Sequence, residues 1–378
     1  MLNYNPALNK MKIEIVSPVH IGSGNDATSM DYILYFERGE EWGSVIFIDT
    51  PKMVQEFVGR GIITIAELEK GDFKRIRSIF IEQLNENKKD REKFELFSYP
   101  IYYGSEFARI YSNSITDLRS EKQLLLNTLQ KNVITQEAAI PGSSIKGSIR
   151  TAVLSHIANR DKDITKSKYT PNDYDSVKRM GKGRLFEEAV AGKIDKDPFK
   201  NLIVKDITVP VSNIGIVKAQ EIKKNTSKEP TPKDFLEAFL PSQYFEERVF
   251  YNLDLILQDK LYFSTHNLTI SSIDEIKAIC ADFYMQKFEF EYIRFYSDVS
   301  RRDFDCQDID QLRSLLTEAK SQGKGILRVG HYSHAESITV DTFREIEGKF
   351  IASIGKKVFG TTRTLADGIM PFGWVIFE

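Results

Sequence analysis

The stretch IPGSSIKGSIRTAV, residues 140–153, constrains the local fold more tightly than any other part of the chain. Its apolar residues recur at the spacing of one helical face: Ile145, Ile149, Ala152 and Val153. A helix starting near Ser144 is therefore predicted, with Pro141-Gly142 forming the turn before it. Ser143 or Ser144 can cap its first N–H groups, since serine is a preferred N-cap residue.

Two cations lie close to the start of this helix. Lys146 and Arg150 are four residues apart and share one helical face. A helix N-terminus exposes unpaired N–H groups and a partial positive charge, which favour anions. Gly147 removes a side chain where a phosphate backbone could approach. Two interpretations remain open at this point: a capped core helix with two exposed cations, and a site that grips a polynucleotide backbone.

Two nucleotide-binding motifs are excluded by residue order. The phosphate-loop motif needs Gly-Lys-Ser/Thr, whereas this chain has Lys146-Gly147-Ser148. GSGNDA, residues 22–27, fits Gly-x-Gly-x-x-Ala, but the pattern of a β-hairpin follows it where a dinucleotide site requires a helix. No nucleotide or other cofactor is therefore predicted.

Strand and helix patterns follow one another along the chain, which predicts an α+β fold. Strand patterns occupy residues 12–16, a hairpin at 32–49, and segments 201–209, 213–222, 247–257, 325–330 and 373–377. A charged, mostly helical segment at about 51–130 interrupts them and is interpreted as an inserted lobe. Residues 223–234 are polar and contain proline, which is typical of a loop. The pattern restarts after residue 257.

Charge is concentrated rather than spread. The net charge of −2 argues against a uniformly basic nucleic-acid protein. Three segments nevertheless hold cations with glycine or serine: 141–160, 178–184 and 349–364. They are either solvated patches or contacts for an anionic partner.

Histidines and cysteines give no metal or disulfide signature. Cys280 and Cys306 have no partner motif, so neither a disulfide framework nor a zinc site is expected. No carboxylate or cysteine nearby completes a ligand set with His331 and His334, and no metal site is predicted. No apolar start resembles a signal peptide and no run reaches the roughly 18 apolar residues of a membrane span. A cytoplasmic location without membrane contact is expected.

Three residues near the N-terminus keep an enzymatic alternative open. In an RNA endonuclease, His20 would serve as general base, and Asp26 or Asp31 as the activating carboxylate. Such aspartates are more often turn formers. No second group that could protonate the leaving oxygen is evident, so a non-catalytic protein is the first hypothesis.

Several motifs resemble one known family. HIGSG after the first strand, IPGSSIKGSIRTAV and the ending TRTLADGIMPFGWVIF are similar to the RAMP superfamily of CRISPR proteins. Within it the chain most resembles the family of subunit five of the type III-A Csm effector complex. FKNLIVKDITV and FLPSQYFEERVFYNLDL fit the same family in type and order, so the resemblance spans nearly the whole chain.

The resemblance implies a fold and partners. It implies two ferredoxin-like (RRM-like) RAMP modules, residues 1–257 with the helical insertion at 51–130, and residues 258–378. Glycine-rich loops of such modules lie against RNA. Subunits of this kind cap the filament near the 3′ part of the guide RNA (crRNA), next to the backbone RAMP subunit. The family is also implicated in guide RNA maturation and in engaging nucleases.

The matching motifs and the basic segments together give a set of predicted RNA contacts. These are His20, Gly22, Gly24, Ser143, Ser144, Lys146, Gly147, Arg150, Lys182, Arg184, Lys356, Lys357 and Arg363, with Gly368 and Gly373 in the C-terminal loop. The chain departs from the family at VGHYSHAES, residues 329–337, which has one glycine where the family often has several. RNA contact by that loop, which contains His331 and His334, is left open.

Overall fold

A computed structural model describes residues 11–114, 124–161 apart from 133, 134 and 136, 182–223, 231–297, 307–341 and 360–378. Their helices are α1 Thr50–Gly59, α2 Ile65–Glu69, α3 Phe73–Glu86, α4 Lys88–Phe94, α5 Glu106–Ser114, α6 Gly142–Arg160, α7 Lys182–Ala191, α8 Ile273–Glu291, α9 Gln307–Ser321 and α10 His334–Ile338. Their strands are β1 Met11–Ile15, β2 Gly22–Ala27, β3 Tyr32–Tyr35, β4 Trp42–Ile48, β5 Glu95–Tyr102, β6 Leu126–Leu129, β7 Ala138–Ile140, β8 Leu202–Val204, β9 Ile207–Val209, β10 Ile214–Lys223, β11 Thr231–Phe239, β12 Phe250–Leu253, β13 Leu255–Leu257, β14 Leu261–Phe263, β15 Leu268–Ile270, β16 Gly325–Arg328, β17 Thr362–Ala366, β18 Met370–Pro371 and β19 Trp374–Phe377. The predicted α+β class is confirmed.

Two larger sheets organise the described residues. One is antiparallel with strand order β12-β1-β19-β16, so that Ile13 of β1 pairs with Tyr251 on one side and Phe377 on the other. The second has the order β18-β17-β10-β11-β6-β2 and contains one parallel pair, β11 with β6. The apolar faces of strands and helices meet in one large core that includes Ile13, Ile149 and Trp374.

The predicted division at residue 257 does not separate these sheets. The four-stranded sheet joins β1 and β12 to β16 and β19, and the six-stranded sheet joins β10 and β11 to β17 and β18. The boundary therefore falls within two shared sheets. A restart in local periodicity cannot reveal this, because strand pairing between distant segments leaves no local pattern.

The inserted lobe has a small core of its own. Helices α1 to α5 lie between residues 50 and 114, and Phe57, Phe80 and Phe94 pack with Ile46 of the sheet β3-β4-β5. The predicted hairpin at 32–49 is confirmed by the antiparallel pairing of β3 with β4. Strand β5 interrupts the predicted helical segment, because its alternating aromatic residues pair with β4.

The central helix α6 owes its position to its apolar stripe. Ile145, Ile149, Val153 and Ile157 are all fully buried, as the helical spacing predicts. The neighbouring α8 fixes the helix further, since the Tyr284 hydroxyl donates to a backbone carbonyl of α6 at 2.9 Å. One correction concerns the predicted loop 223–234, whose last four residues begin strand β11.

Candidate nucleic-acid interface

An open cleft of about 520 Å³ brings three separate segments of the sequence together. One wall is the connection from β1 to β2, the floor is the start of α6, and the other wall is the segment after β16. The lining residues are Ile21, Gly22, Ser144, Gly147, Ser148, Thr151, Arg328, Gly330, His331, Ser333, Ser337 and Ile338. Three of the predicted contacts, Gly22, Ser144 and Gly147, are therefore neighbours in space.

The helix α6 begins two residues before the predicted start. Pro141 is the N-cap residue, and neither serine makes a side-chain cap hydrogen bond. Instead, the N–H of Gly142 donates to Oδ1 of Asp206 at 2.7 Å. A side chain at position 142 would come within 2.3 Å of the Val204 carbonyl oxygen, so only glycine lets the helix end approach β8 so closely. The helix end is therefore anchored by packing, which leaves Ser144 free to line the cleft.

Lys146 and Arg150 differ in their surroundings, although they share a helical face. Arg150 forms ion pairs with Glu187 at 3.1 Å and Asp197 at 2.5 Å, and its guanidinium lies over the ring of Phe199. No side chain among the described residues forms an ion pair with Lys146. The ion pairs occupy Arg150, so Lys146 is the cation of this pair that remains available to an anionic ligand.

Gly147 leaves open space above the helix. A side chain built at this position would meet no atom within 4 Å. Gly147 lies on one helical face with Ser144, Ser148 and Thr151, at spacings of three and four residues. This stripe of small residues could have indicated the cleft floor from the sequence. Two of its members, Ser148 and Thr151, are not among the predicted contacts.

The first glycine segment is an irregular edge strand rather than a loop. β2 pairs with β6 with a shift in register between Gly22 and Asp26. Gly24 has φ +81°, a conformation that glycine adopts at little cost, and space around it is open. The segment thus presents backbone and small side chains to solvent at the end of the second sheet.

The buried side chain of His20 packs beneath this segment. It is 4% exposed, and its Nδ1–H donates to the Glu237 carbonyl oxygen at 2.7 Å. Burial lowers the pKa of His20, against the effect of this hydrogen bond, while the nearby His331 and Lys131 lower it further. The imidazole is therefore neutral at pH 7, with an unprotonated Nε2 next to Gly22. Its position suits a packing role beneath the cleft wall.

The loop that the resemblance left open forms the opposite wall. Gly330, His331 and Ser333 line the cleft, and the N–H of His331 donates to the His20 carbonyl oxygen at 2.8 Å. Gly330 has φ +82°, and a side chain there would come within 2.4 Å of the same carbonyl oxygen. Close contact between the two walls therefore depends on the one glycine that this loop retains.

Arg363 is not at a surface, which corrects its prediction as an RNA contact. It is fully buried in a charge cluster with Arg328, Glu291 and Glu336, here called the buried charge cluster. Its Nε lies 2.8 Å from Glu291 and its Nη2 lies 3.0 Å from Glu336. Burial alone would lower the pKa of Arg363, but the two carboxylates raise it above its usual value. The two arginines tie the cleft wall to β17 and α8.

The remaining predicted contacts either have no described side chain or are glycines that allow close backbone packing. Lys356 and Lys357 lie outside the described residues, and of Lys182 and Arg184 only the helical backbone of α7 is described. Gly373 has φ +94° and lies against the Val329 carbonyl oxygen, where a side chain would be only 2.5 Å away. It is therefore needed for packing.

The two candidate carboxylates have different environments. Asp31 accepts hydrogen bonds from the N–H and the hydroxyl of Thr28, both at 2.7 Å, which is the turn-forming role. Asp26 is exposed on β2 opposite Asn127. His334, the second residue of the His-x-x-His pattern, accepts the N–H of Thr364 at 3.3 Å.

The described part of the chain has neither a candidate metal site nor a candidate membrane span. It contains no group of three histidine, cysteine, aspartate or glutamate side chains arranged to hold a metal ion. Within the same residues, no helix has both the length and the apolar character needed to cross a bilayer.

Comparison with known proteins gives one family match and several similar chains. The profile of the RAMP superfamily matches residues 12–330. Among curated proteins, the CRISPR system Cms protein Csm5 of Methanocaldococcus jannaschii is 28% identical over 200 residues, which are 52% of this chain and 42% of that protein. The match therefore spans less than half the length of this relative.

Two solved structures share the fold. A chain in the cryo-EM structure of a Csm-crRNA-target RNA ternary complex of a type III-A CRISPR-Cas system is similar with a TM-score of 0.63 and 21% identity, covering 98% of this chain and 100% of that one. The crystal structure of Csm5 from T. onnurineus is similar with a TM-score of 0.58 and 19% identity, covering 97% and 99% of the two chains.

Proposed function

The chain belongs to the RAMP superfamily, and from that premise we propose that it is an RNA-binding subunit of a type III-A CRISPR Csm effector complex. The observation that carries the proposal is the cleft, in which the start of α6, an irregular glycine strand and a third loop meet. Lys146, which no described side chain pairs with, directly precedes the lining residue Gly147. The similarity to a curated Csm5 and to a chain of a Csm-crRNA-target RNA complex supports the same assignment.

The cleft suits the backbone of a single RNA strand better than its bases. Ser144 offers a hydroxyl donor, whereas the Ser148 and Ser333 hydroxyls already donate to the Arg328 and Gly330 carbonyl oxygens. Gly22 and Gly147 allow close approach to the main chain. Lys146 is not one of the lining residues, and it adds one positive charge in the first turns of α6. Contacts of this kind hold phosphates and sugars and carry no sequence information. The subunit would therefore bind guide RNA irrespective of its sequence.

The finer assignments follow from the family resemblance. We place the subunit at the end of the filament, next to the backbone RAMP subunit and near the 3′ part of the guide RNA. There it would support guide RNA maturation and nuclease recruitment. We also assign the two large sheets to two ferredoxin-like modules whose strands are shared across residue 257.

The protein is proposed to bind RNA without cleaving it. Cleavage requires a base for the 2′-hydroxyl and an acid for the leaving group, both within hydrogen-bond reach of the reacting atoms. His20 is buried beneath the cleft wall and Asp31 closes a turn. An endoribonuclease that uses His20, Asp26 or Asp31 is the alternative, and replacing each by alanine in a cleavage assay with and without Mg²⁺ distinguishes the two.

The test of RNA binding is the salt dependence of affinity. Each phosphate contact that is lost lowers the log–log slope by roughly 0.7 for a single strand. Lys146→Ala should therefore reduce the slope by about this amount for both a guide-sequence RNA and a scrambled RNA. Lys88→Ala is the matched control, since Lys88 is a 77% exposed lysine on the inserted lobe that makes only a weak pair with Glu92.

Arg150→Ala separates binding from folding. Because its guanidinium is already paired with two carboxylates, this variant should unfold at lower urea concentration while its salt slope stays at the wild-type value. A folded Lys146→Ala protein with an unchanged slope would contradict the proposed RNA site.

A further inference from the structure

The tip of the inserted lobe exposes an aromatic cluster that the RNA cleft does not use. Trp42 at the start of β4 is 62% exposed, and Tyr102 and Tyr103 at the end of β5 are 43% and 60% exposed. The rings of Trp42 and Tyr102 lie 5.5 Å apart, and Phe36 meets Tyr103 edge to face at 5.1 Å. We call Trp42 and Tyr102 the aromatic tip; Phe36 and Tyr103 pack together on the opposite face of the sheet, where Phe36 contacts the main core.

The aromatic tip is held rigidly by the sheet. Trp42 and Tyr102 are directly paired residues of neighbouring strands, and the Tyr103 N–H donates to the Glu41 carbonyl oxygen at 2.7 Å. A side chain at Gly43 would collide with the Phe36 ring at 2.3 Å, so glycine at this position admits Phe36 to the face of the sheet opposite Trp42. Large rings held in one conformation lose little entropy when they are buried by a partner.

The cluster continues a face that the lobe otherwise covers. Trp42 alternates with Ile46 on the same side of β4, and Ile46 is buried under the helices of the lobe. Beyond those helices the same face becomes solvent-exposed. Tryptophan and tyrosine are enriched among the residues that contribute most of the binding energy at protein interfaces.

The charge around the aromatic tip is acidic. The turn between β3 and β4 carries Glu37, Glu40 and Glu41 against a single Arg38, and all four are exposed. None of these side chains forms an ion pair within the part of the chain that the structure describes. Unneutralised carboxylates repel phosphates, so this surface disfavours RNA and favours a basic partner.

We propose that the aromatic tip docks a partner protein whose surface has an apolar pocket ringed by lysine or arginine. The aromatic rings would fill the pocket, and the three glutamates would pair with the rim. The surface is separate from the cleft that we propose for RNA, and the inference does not depend on that function.

Site-specific cross-linking in the native host tests this directly. The photoreactive residue p-benzoylphenylalanine is placed at Trp42 in the full-length protein, and at Ile194 as a control, since Ile194 is an apolar residue that is 82% exposed. We expect position 42 to cross-link to one protein at one apolar segment flanked by basic residues. The control should give no such product.

Charge reversal supplies the second measurement. Replacing Glu37, Glu40 and Glu41 by lysine should reduce the yield of that cross-link at least tenfold, because like charges brought together at an interface cost several kcal/mol. Trp42→Ala should leave the affinity for guide RNA unchanged. Cross-links to RNA, to a second copy of the chain, to another segment of the same chain, or spread as at position 194 would overturn the proposal, as would a yield insensitive to charge reversal.

Discussion

Removing Arg363 should destabilise the protein far more than removing a surface arginine of the same chemistry. Arg363 lies over the Phe295 ring at 4.4 Å and faces Glu291 and Glu336 without access to water. With Arg328, the buried charge cluster is neutral. Arg363→Met keeps the apolar contact but leaves a net negative charge in the core.

The magnitude follows from burial. Removing one partner of a buried ion pair costs roughly 3–5 kcal/mol, because the remaining charge stays desolvated. The comparison is Arg313→Met, whose guanidinium pairs with Glu289 at 2.7 Å and lies over Tyr292, but is 42% exposed. A surface pair of this kind contributes about 0–1 kcal/mol. The two variants should therefore differ by at least about 2 kcal/mol.

A double variant tests whether charge balance is the cause. Glu336→Gln keeps an acceptor for the Gly360 N–H, which lies 2.8 Å from Oε1, but removes the charge. Combined with Arg363→Met it leaves the neutral pair Arg328–Glu291, which joins Nη1 to Oε1 at 2.6 Å. The double variant should be less destabilised than the sum of the singles by about 1 kcal/mol or more.

The assay is urea unfolding followed by the fluorescence of Trp374. This residue is fully buried and lies 4.9 Å from the Arg328 guanidinium, so it reports on the cluster itself. A Trp42→Phe background removes the exposed tryptophan. Equal midpoints for Arg363→Met and Arg313→Met, or strict additivity in the double variant, would refute the reasoning.

Two further predictions concern the cleft walls. The pKa of His20 is lowered in the folded protein, mainly by burial. Its stabilising contribution is therefore complete above the unfolded pKa near 6.5 and is lost as pH falls below that value, with a slope of at most about 1.4 kcal/mol per pH unit. His20→Asn, which keeps a donor for the Glu237 carbonyl, should flatten the pH dependence of unfolding in that range, and a profile identical to that of the wild type would contradict the prediction. Gly330→Ala should destabilise the protein by more than about 1 kcal/mol, because residue 330 has a positive φ and its side chain would meet the His20 carbonyl. Gly147→Ala should leave the stability equal or higher but weaken RNA binding by filling the cleft floor. Urea midpoints and RNA titrations of the two variants check both predictions, and equal stability of the two variants would show that the cleft walls are not in close contact.

The local elements could be predicted because their patterns are local. The helical spacing of Ile145 and Ile149 predicts α6, and two apolar runs joined by a charged segment predict the β3–β4 hairpin. Which strands share a sheet could not be predicted, because Ile13 pairs with Tyr251 and Phe377 across more than two hundred residues. The predicted boundary at residue 257 rests on local periodicity, which carries no information on this pairing.

The site could be predicted only where a residue's type and its exposure agree. Gly22 is predicted from the glycine segment after β1, and Ser144 and Gly147 from the start of α6; the three residues line one cleft. Arg150 and Arg363 are predicted as contacts because they are cations, but the folded chain surrounds them with carboxylates from segments far away in sequence. A cation count identifies charge and not its accessibility. The loop after β16 has one glycine, which gives no prediction of RNA contact, yet this residue, Gly330, brings the loop against the first segment.

The motif that identifies the family therefore encodes two different things within little more than two turns of one helix. Gly142 and Arg150 serve the fold, since one admits the Val204 carbonyl and the other joins α6 to Glu187 and Asp197. Gly147 serves no packing need, because nothing lies within 4 Å of the space that its missing side chain leaves. Glycine in an exposed helix interior costs roughly 0.5–1 kcal/mol relative to alanine. A residue that weakens its own helix without relieving a contact is explained when a ligand's backbone occupies the open space, and this is why Gly147 and the neighbouring Lys146 are the positions on which the proposed RNA site depends.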